Sequence, residues 1–437
     1  MNLLAQELNT ILSGSIADHL FSDFGRRLYF PKGIVAQTAE AKQYAKKFNA
    51  TVGMAFYQKE PIFLQKIQEN FPKLTPRETV AYAPTPGDPE LRKKWKEEIV
   101  RKNPAVDPDS ISLPMVVSGL TNGIAHTADL FIDPEDTVIV PDMFWGNYRL
   151  IFEVRKSAKI VEFPFFTKNR GFNTEAMKEA ILQNSRKGKV LVMLNFPNNP
   201  TGYSPTQKEA ELCAQTLKEC ADKGIHICAV CDDAYFGLFY EEETYKHSLF
   251  SLLYNLHENI LAVKIDGATK EDYVWGFRIG FVAFGNPAMT GEQYEALNKK
   301  LMGSIRSSIS NSSRPAQSLL KNALKSPDYQ KDKERYSSIL RERYKKVLKA
   351  LEAYSESRVL VPFPFNSGYF MCFKAEGIST EKLRTVLLKE KGIGTISIQD
   401  KYLRVAFSSV EDEDIQELYS DIYETADIII RLSKADR

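Results

Sequence analysis

The stretch KVLVMLNFPNNP, residues 189–200, contains the pattern that decides the fold: an unbroken apolar run that stops at asparagines and prolines. An apolar run without polar alternation is typical of a strand that is buried on both faces of its sheet. The asparagines and prolines end the strand and predict a rigid turn. Two further runs, HICAVCDDAY at residues 226–235 and ILAVKIDGAT at residues 260–269, are also mainly apolar and end at aspartates. We therefore predict strands whose ends carry polar side chains.

Strand-like runs alternate with charged, helix-like segments through the middle of the chain. This alternation predicts βα units and an α/β fold, in which a mostly parallel seven-stranded sheet lies between helices. The runs that we assign to this sheet are residues 112–119, 136–142, 159–165, 189–197, 226–235, 260–269 and 275–285. In such sheets the chemistry gathers at the carboxyl ends of the strands.

The last quarter of the chain has a different pattern. Residues 328–354 form a long, charged, amphipathic helical segment, and two strand-like runs, residues 366–375 and 401–409, flank a further helix. These segments predict a second, smaller α+β domain. The boundaries that we predict are 65–322 for the large domain, and 1–64 together with 323–437 for the small domain.

Composition and charge exclude several classes of partner. The 437 residues are 43% hydrophobic and 26% charged, which is enough for a large core. The net charge is only +2, so no overall field attracts nucleic acid or an anionic membrane. Residues 1–20 are typical of an amphipathic helix without a basic leader, and no apolar run reaches about 18 residues. We therefore expect neither a signal peptide nor a membrane span.

The five cysteines are odd in number and lack the paired spacing of metal ligands. We therefore expect reduced thiols, a cytoplasmic protein and no metal site. Cys228 and Cys231 form a C-x-x-C pattern, but they lie inside an apolar run. A packing role is accordingly favoured over a redox role.

Two of the predicted strand ends carry groups that bind anions. Residues 118–121, Ser-Gly-Leu-Thr, begin a helix, where free N–H groups can hold a phosphate, although serine and threonine are also ordinary helix caps. Asn195, Asn198 and Asn199 lie in one turn. Their amides are good donors to a phenolate or carboxylate, although the same residues also suit a simple turn.

The remaining strand ends supply charges. Asp232 and Asp233 end a buried strand, where a carboxylate is costly without a cation, or where one of them could cap the next segment. Lys270 follows another strand and, screened from water, can act as an amine nucleophile. Arg278 offers a planar fork that suits a phosphate dianion. In this order the five groups point to pyridoxal phosphate.

Three motifs in sequence carry a family resemblance. They are NNPTG at residues 198–202, D-x-A-Y at residues 232–235, and K-x7-R-x-G at residues 270–280. With these motifs the chain resembles the class I/II, fold-type I pyridoxal-phosphate aminotransferases, and within them the aspartate and aromatic aminotransferase branch. The resemblance covers nearly the whole chain, and it implies a homodimer with shared active sites.

The resemblance implies a role for each cofactor-binding residue. The set is Gly119, Leu120, Thr121, Trp145, Asn199, Asp232, Tyr235, Lys270, Arg278 and Tyr82. Lys270 would bind the cofactor aldehyde and move the substrate proton, and Asp232 would pair with the ring nitrogen so that the ring accepts electrons. Tyr235, the third catalytic residue, would donate to the phenolic oxygen.

The other members of this set would hold the cofactor in place. Asn199 would also donate to the phenolic oxygen, while Arg278, Thr121 and the backbone of Gly119 and Leu120 would bind the phosphate. Trp145 would stack on the ring, with Phe144 as the alternative one residue earlier. Tyr82 would reach the phosphate of the neighbouring subunit.

Four residues are implied in substrate binding. Arg404 would grip the α-carboxylate, unless it forms an ion pair between the two domains. Gly53 and Asn199 would lie beside the same carboxylate. Arg306 matches the position of an arginine that reaches in from the partner chain and binds the distal carboxylate of an acidic donor. The same pattern also fits an arginine at the surface in a serine-rich loop.

Three positions depart from the family pattern. Gly267 stands where many relatives have a serine that contacts the phosphate, and Thr269 replaces another serine. We expect either weaker phosphate binding or a compensating group. Tyr148 stands where the aspartate branch has a histidine behind the ring-nitrogen aspartate. That replacement alters the surroundings of Asp232.

The function that the resemblance implies is transamination between an L-amino acid, acidic or aromatic, and a 2-oxo acid by a ping-pong route. Two alternatives remain. The first is a lyase or decarboxylase with the same cofactor on the same fold. The second is a non-catalytic, cofactor-sensing module, which the filled catalytic positions disfavour.

Overall fold

The computed structural model of this chain describes residues 1–13, 21, 23–28, 33–185 and 188–435. Its strands, numbered along the chain, are β1 Phe48–Asn49, β2 Phe56–Tyr57, β3 Glu60–Pro61, β4 Met115–Val117, β5 Thr137–Pro141, β6 Lys159–Phe163, β7 Lys189–Asn195, β8 His226–Asp232, β9 Ile260–Asp266, β10 Gly280–Gly285, β11 Leu360–Pro362, β12 Met371–Ala375, β13 Ile393–Gly394, β14 Ile396–Ile398 and β15 Tyr402–Val405.

Helices cover the strands. The α-helices are Leu3–Leu12, Asp23–Arg27, Ile34–Tyr44, Gln65–Gln68, Pro76–Thr79, Pro89–Lys102, Leu120–Phe131, Thr174–Asn184, Gln207–Ala221, Phe250–Leu253, Ala268–Glu271, Gly291–Ser308, Arg314–Leu324, Tyr329–Glu352, Thr380–Val386 and Ile415–Ala435. Shorter 3-10 turns are Phe71–Lys73, Pro108–Ser110, Trp275–Phe277 and Phe407–Ser409, and π-helical turns are Arg149–Val154 and Leu387–Lys391. Of the amphipathic helix expected over residues 1–20, the part at residues 14–20 lies outside the described residues.

The predicted seven-stranded, mostly parallel sheet is confirmed. Its strand order is β4-β10-β9-β8-β7-β5-β6. Neighbouring strands from β5 to β9 pair in parallel, whereas β10 runs antiparallel to both β9 and β4. Nearly every residue of β7, β8 and β9 is buried, because helices cover both faces of the sheet.

The register of this sheet brings the polar strand ends together. Asn195 at the end of β7 lies opposite Asp232 at the end of β8. Asp232 in turn lies opposite Ile265, one residue before the end of β9. On the other side, β10 places Phe281 opposite Asp266. The residues that follow these strands therefore share one edge of the sheet.

The C-terminal part forms a second layer of strands. The sheet β11-β12-β15-β14 is four-stranded, and its neighbouring strands are antiparallel. The N-terminal strand β1 pairs in parallel with β13, so residues near 48 join this part rather than the large sheet. This pairing supports our proposal that residues 1–64 and 323–437 form one small domain beside a large domain of residues 65–322.

Two features bear on the expected surroundings of the protein. Among the helices of the described ranges, none combines the length and the apolar character needed to cross a membrane. All five cysteines are free thiols, and four of them are buried. Burial raises the pKa of Cys228 to about 12, and the pKa of Cys231 is also raised, mainly by burial. Neither thiol has the low pKa of a redox-active cysteine.

Candidate functional site

The asparagine turn is fixed to the end of the neighbouring strand by side-chain hydrogen bonds. Asn195 donates from Nδ2 to the Asp232 carbonyl oxygen at 2.9 Å and accepts at Oδ1 from the Asn199 N–H at 2.9 Å. Asn198 accepts at Oδ1 from the backbone and hydroxyl of Thr201 at 3.1 and 2.7 Å. The turn therefore holds Asn199 beside the aspartate at the end of β8.

Asp232 is the aspartate that faces this edge. One carboxylate oxygen, Oδ2, accepts a hydrogen bond of 2.5 Å from Tyr148 Oη. The other, Oδ1, is buried and has no hydrogen-bond partner among the described residues. Burial raises the pKa of Asp232 to about 6, although the Tyr148 hydroxyl and the Lys270 ammonium oppose that rise. The free oxygen is therefore an open acceptor for a cationic N–H.

The next residue, Asp233, has a different environment. Its carboxylate pairs with the fully buried Lys264 and accepts from Ser248 Oγ at 2.6 Å. Lys264 also lies 3.3 Å from Asp266, whose carboxylate accepts from Trp95 at 2.8 Å. Burial raises the pKa of Asp233, and the bonds to Lys264 and Ser248 oppose that rise. Of the two aspartates that sequence alone left open, Asp232 alone presents a free oxygen beside the asparagine turn.

Lys270 lies in the one-turn helix Ala268–Glu271 that follows β9. Its Nζ is 4.9 Å from the centroid of the buried Tyr235 ring. Burial lowers the pKa of Lys270 to about 8, Asp232 opposes this, and Arg278 lowers it further. About a tenth of this amine is therefore uncharged and nucleophilic at pH 7, far more than for an ordinary lysine.

The start of helix Leu120–Phe131 forms a cradle with Arg278. Gly119 has a φ of +86°, and a Cβ there would lie 2.9 Å from Arg278 Cζ, so the guanidinium lies directly against this turn. Thr121 occupies the first turn of the helix, where N–H groups have no partner within the helix. The helix N-terminus and the guanidinium together can hold a dianion.

A steric constraint that the sequence did not reveal explains why glycine stands at position 267. A Cβ at this position would lie 2.7 Å from the Ile279 carbonyl oxygen and 2.8 Å from Gly280 Cα. A Cβ at Gly280 would in turn lie 2.9 Å from the carbonyl carbon of Gly119. The backbones of these segments pack so closely that a serine at position 267 would force them to shift. Thr269 donates its hydroxyl to Ile279 O at 3.3 Å.

Arg404 is buried and incompletely satisfied. It donates from Nη1 to Asn199 Oδ1 and from Nη2 to the Thr51 carbonyl, both at 3.0 Å, and its Cζ lies 4.3 Å from the centroid of Phe370. Its Nε has no hydrogen-bond partner, and no carboxylate lies within 4 Å, among the residues that the structure describes. Burial lowers the pKa of Arg404 to about 10. A carboxylate ligand would satisfy this group.

Gly53 lies next to the arginine pocket. A Cβ on Gly53 would lie 3.7 Å from Tyr235 Oη and 3.6 Å from Phe370 Cζ. The segment that contains Thr51 and Gly53 therefore forms a wall of the space between Tyr235 and Arg404.

Trp145 and Phe144 both pack against Tyr148. The Trp145 ring meets Tyr148 edge to face at 5.6 Å, and the Phe144 ring lies parallel to it at 6.1 Å. A cavity of about 420 Å³ opens beside them and reaches Asn199. Its lining is Gly33, Asp142, Met143, Phe144, Trp145, Gly146, Asn147, Arg149, Asn199, Pro200, Ser397, Ile398, Gln399 and Tyr402.

Tyr82 and Arg306 lie apart from these contacts. Tyr82 is 92% exposed. Arg306, at the end of helix Gly291–Ser308, is exposed and donates to Ser310 Oγ at 2.5 Å. In the described part of this single chain, no hydrogen bond joins either residue to Lys270 or Arg404.

Several site contacts come from residues that sequence reasoning missed. Phe370 lies under the Arg404 guanidinium, and Tyr369 donates from Oη to the Lys270 carbonyl at 3.2 Å. Thr51 supplies a carbonyl to Arg404. The only sequence signal for the aromatic pair was the apolar strand-like run of residues 366–375 in the C-terminal domain, which does not indicate contact with a distant lysine.

Comparisons with known proteins agree with this geometry. The family described as "Aminotransferase class I and II" matches residues 51–422. The chain is 30% identical over 213 residues to an LL-diaminopimelate aminotransferase from Dehalococcoides mccartyi, an alignment that covers 48% of this chain and 50% of that protein. It is 25% identical over 345 residues to an aspartate aminotransferase from Pyrococcus horikoshii, covering 77% and 80%.

A solved structure of an aminotransferase from Anaerococcus prevotii has the same fold. Its TM-score is 0.82 at 24% identity, over 93% of this chain and 99% of that one. The chain spans about half the length of the first curated relatives that it matches. The family match includes all the strand-end residues described above and confirms the resemblance. This chain belongs to the class I and II aminotransferases.

Proposed function

We propose that this protein transfers an amino group between an L-amino acid and a 2-oxo acid by a ping-pong route, with pyridoxal phosphate as cofactor. The observation that carries the proposal is the open edge of the site. There Asp232 Oδ1 and Arg404 Nε are buried without hydrogen-bond partners, within the residues described, and the Lys270 amine has a pKa of about 8. Membership of the aminotransferase family supports the same reaction.

The residues present fit pyridoxal phosphate. The free Asp232 oxygen would accept the ring N–H, while Arg278 and the turn at Gly119 would hold the phosphate. The side-chain oxygen of Asn199, Oδ1, already accepts a hydrogen bond from Arg404. The Asn199 Nδ2 is therefore left to donate to the phenolic oxygen, as the Tyr235 hydroxyl would also do. When bound, the cofactor supplies an electron sink that stabilises negative charge at the substrate Cα.

The chain's own residues orient the substrate and move its proton. Arg404 would bind the α-carboxylate with its planar fork, and Phe370 beneath the guanidinium keeps the fork in place. The Lys270 amine would take the proton from the substrate Cα and hold it as an ammonium until it is given back. Its pKa of about 8 suits both steps, because neither form is rare near neutral pH. The buried Tyr235 ring lies 4.9 Å from this amine and shields one side of it from water.

The donor that we propose is an acidic or aromatic L-amino acid. The cavity beside Asn199 has aromatic walls from Phe144, Trp145 and Tyr402, which supports an aromatic donor. Its arginine, Arg149, is paired with Glu153 at 2.9 Å and with Glu162. A paired arginine is a weak ligand for a second carboxylate, so an acidic donor would depend on Arg306 instead.

We propose a cytoplasmic homodimer in which Tyr82 and Arg306 complete the site of the other copy. The exposure of Tyr82 and Arg306, and the absence of a hydrogen bond from either to Lys270 or Arg404 in the described part of one chain, support this arrangement. Five free thiols are in keeping with a reducing compartment.

Half-reaction spectroscopy tests the proposed function. The protein, loaded with pyridoxal phosphate, is mixed with aspartate, glutamate, phenylalanine, tyrosine and LL-diaminopimelate, the last because a relative bears that name. We expect at least one donor to convert the cofactor to its aminated form, and a 2-oxo acid to reverse the change. Release of ammonia or carbon dioxide without that conversion would identify a lyase or decarboxylase instead.

The Arg306→Ala variant tests the donor class. If Arg306 binds the distal carboxylate, acidic donors lose about 10- to 100-fold in kcat/KM, since one charge-assisted pair is removed, while aromatic donors are unchanged. Equal losses for all donors would refute this role.

A further inference from the structure

The peptide that follows the site lysine enters a buried cluster of charges, which we call the charge clamp. Glu271 pairs with Lys102 at 2.9 Å and with Lys333 at 2.6 Å. Asp272 pairs with Lys333 at 3.0 Å and accepts a 2.5 Å hydrogen bond from Tyr329 Oη. The side chains of Lys102 and Lys333 are only 7% and 13% exposed, so water screens these pairs weakly.

The helix that carries Lys270 cannot hold its own position. It is a single turn, Ala268–Glu271, and a single turn is unstable alone because fixing its backbone costs more than its hydrogen bonds return. Tyr369 anchors it on one side by donating to the Lys270 carbonyl. Glu271, at the end of the same turn, provides the anchor on the other side.

The two lysines reach Glu271 from helices that are remote in sequence. Lys102 is the last residue of helix Pro89–Lys102, and its ammonium lies 4.7 Å from the centroid of the buried Trp95 ring. Lys333 belongs to the first turns of helix Tyr329–Glu352. The turn is therefore held between two long helices rather than by its neighbours in the chain.

Two lysines face two carboxylates in the clamp, although burial raises the pKa of Asp272 and its Oδ2 has no hydrogen-bond partner among the described residues. Burial alone would raise the pKa of Glu271, but Lys102 and Lys333 lower it to about 2. Burial would likewise lower the pKa of Lys333, but Asp272 and Glu271 raise it. Removal of Lys333 would leave Asp272 without a cation and Glu271 with Lys102 alone, and the turn would have to move toward water to relieve the buried charge.

We propose that Lys102 and Lys333 are positioning residues that, through Glu271 and Asp272, fix the direction and burial of the Lys270 amine. The clamp acts on the backbone of the turn and does not touch substrate or cofactor. The charged and aromatic groups that act on the amine itself are Asp232, Arg278 and Tyr235. The chemical role of the Lys270 amine is the one given by the proposed function, and the inference rests on that proposal.

The first test compares Lys333→Met with Lys345→Met. Lys345 lies on the same helix but is exposed and pairs only with the exposed Glu342 among the described residues. The pH dependence of reductive methylation of Lys270 is followed in the cofactor-free protein by peptide mass spectrometry. We expect a wild-type midpoint near the Lys270 pKa of about 8. Lys333→Met should raise that midpoint by at least about half a pH unit, because the amine becomes better solvated; Lys345→Met should not.

The second test uses turnover of the loaded enzyme. Lys333→Met should lower kcat about 10-fold while the KM for the donor changes less than about 2-fold, since substrate contacts are intact. Lys333→Arg keeps the charge and should restore most of the rate. If Lys333→Met does not fold, Glu271→Gln takes its place, because it keeps the side-chain shape but weakens both ion pairs. We expect Glu271→Gln to raise the methylation midpoint by a similar amount.

The outcomes separate this inference from the proposed function. A Lys333→Met protein with a wild-type methylation midpoint and a wild-type kcat, but a lower unfolding temperature, would overturn the positioning role. A wild-type protein that converts no donor would instead overturn transamination, and the methylation midpoints would still decide whether the clamp positions the lysine.

Discussion

Asp232 is the last residue of β8 and Asp233 follows it, yet their carboxylates lie in different environments. Asp233 lies in a closed pair with Lys264, whereas Asp232 keeps one buried oxygen without a partner in the described structure. The two lysines of the β9 segment differ in the same way. Lys264 is fully buried and paired, while Lys270 has no carboxylate within 4 Å in the described residues and a pKa of about 8.

The comparison separates structural charges from chemical ones. A buried charge with a partner serves the stability or specificity of the fold. Loss of its partner lowers the free energy of unfolding. A buried polar group without a partner is costly, and Asp232 Oδ1, whose carboxylate interacts with the Lys270 ammonium, therefore indicates a ligand at this edge. The closed side (Asp233, Lys264) and the open side (Asp232, Lys270) should therefore respond differently to mutation.

Lys270→Ala should have the largest effect. Loss of the amine that we propose moves the Cα proton should lower kcat by at least about 10²- to 10⁴-fold, the range for removal of a general acid or base. The unfolding temperature should change little, because the amine has no ion pair to lose. Steady-state kinetics and calorimetry measure both. Lys208→Ala, an exposed lysine, is the control and should be normal in both.

Lys264→Met should show the reverse pattern. It leaves Asp233 and Asp266 buried without a cation, which costs about 3 to 5 kcal/mol in the free energy of unfolding. Urea unfolding measures this loss, and Lys264→Met/Asp233→Asn should recover part of it. A variant as stable as the wild type would contradict the closed pair.

Tyr148→Phe should shift the pH profile of the open side. The Tyr148 hydroxyl stabilises the charged carboxylate, so its removal should raise the pKa of Asp232 further above about 6. Because the ionised form is the active one, the acid limb of kcat/KM should move to higher pH, and the rate at pH 6 should fall about 3- to 10-fold. A shift to lower pH, or none, would contradict this account.

Gly267→Ala should have the smallest effect on the chemistry. The added Cβ would lie too close to the Ile279 carbonyl oxygen, and such overpacking lowers the free energy of unfolding by about 1 to 3 kcal/mol. Because the displaced backbone adjoins Gly119, affinity for pyridoxal phosphate should also fall. Gly276→Ala has no atom within 4 Å of its new Cβ and serves as control. Equal stability of both variants would refute the steric explanation.

Much of the open side was predictable, because motif and register coincide there. The runs that end at Asn195, Asp232 and Asp266 became neighbouring strands, and their ends brought Asn199 and Lys270 to one edge. Continuous apolar runs of this kind indicate strands that are buried on both faces of the sheet.

The closed side and the small-domain contacts were not predictable. Lys264 interrupts an apolar run, and no local rule says which acid will pair with it. Phe370 beneath Arg404 depends on long-range packing in the same way. The steric reason for Gly267 depends on the approach of β10, which runs antiparallel to β9. Tyr82 and Arg306 stay predictions, because their proposed ligands belong to another copy.

The most direct measurement compares Asp232→Asn with Asp233→Asn, by the rate of cofactor amination and by the free energy of unfolding. Asp232→Asn should slow amination by at least about 100-fold, as for loss of a preorganised charge, and leave stability nearly unchanged. Asp233→Asn should cost about 3 kcal/mol of stability and leave the rate within about 3-fold of wild type. Similar losses of rate and stability in both variants would contradict the division into an open and a closed side.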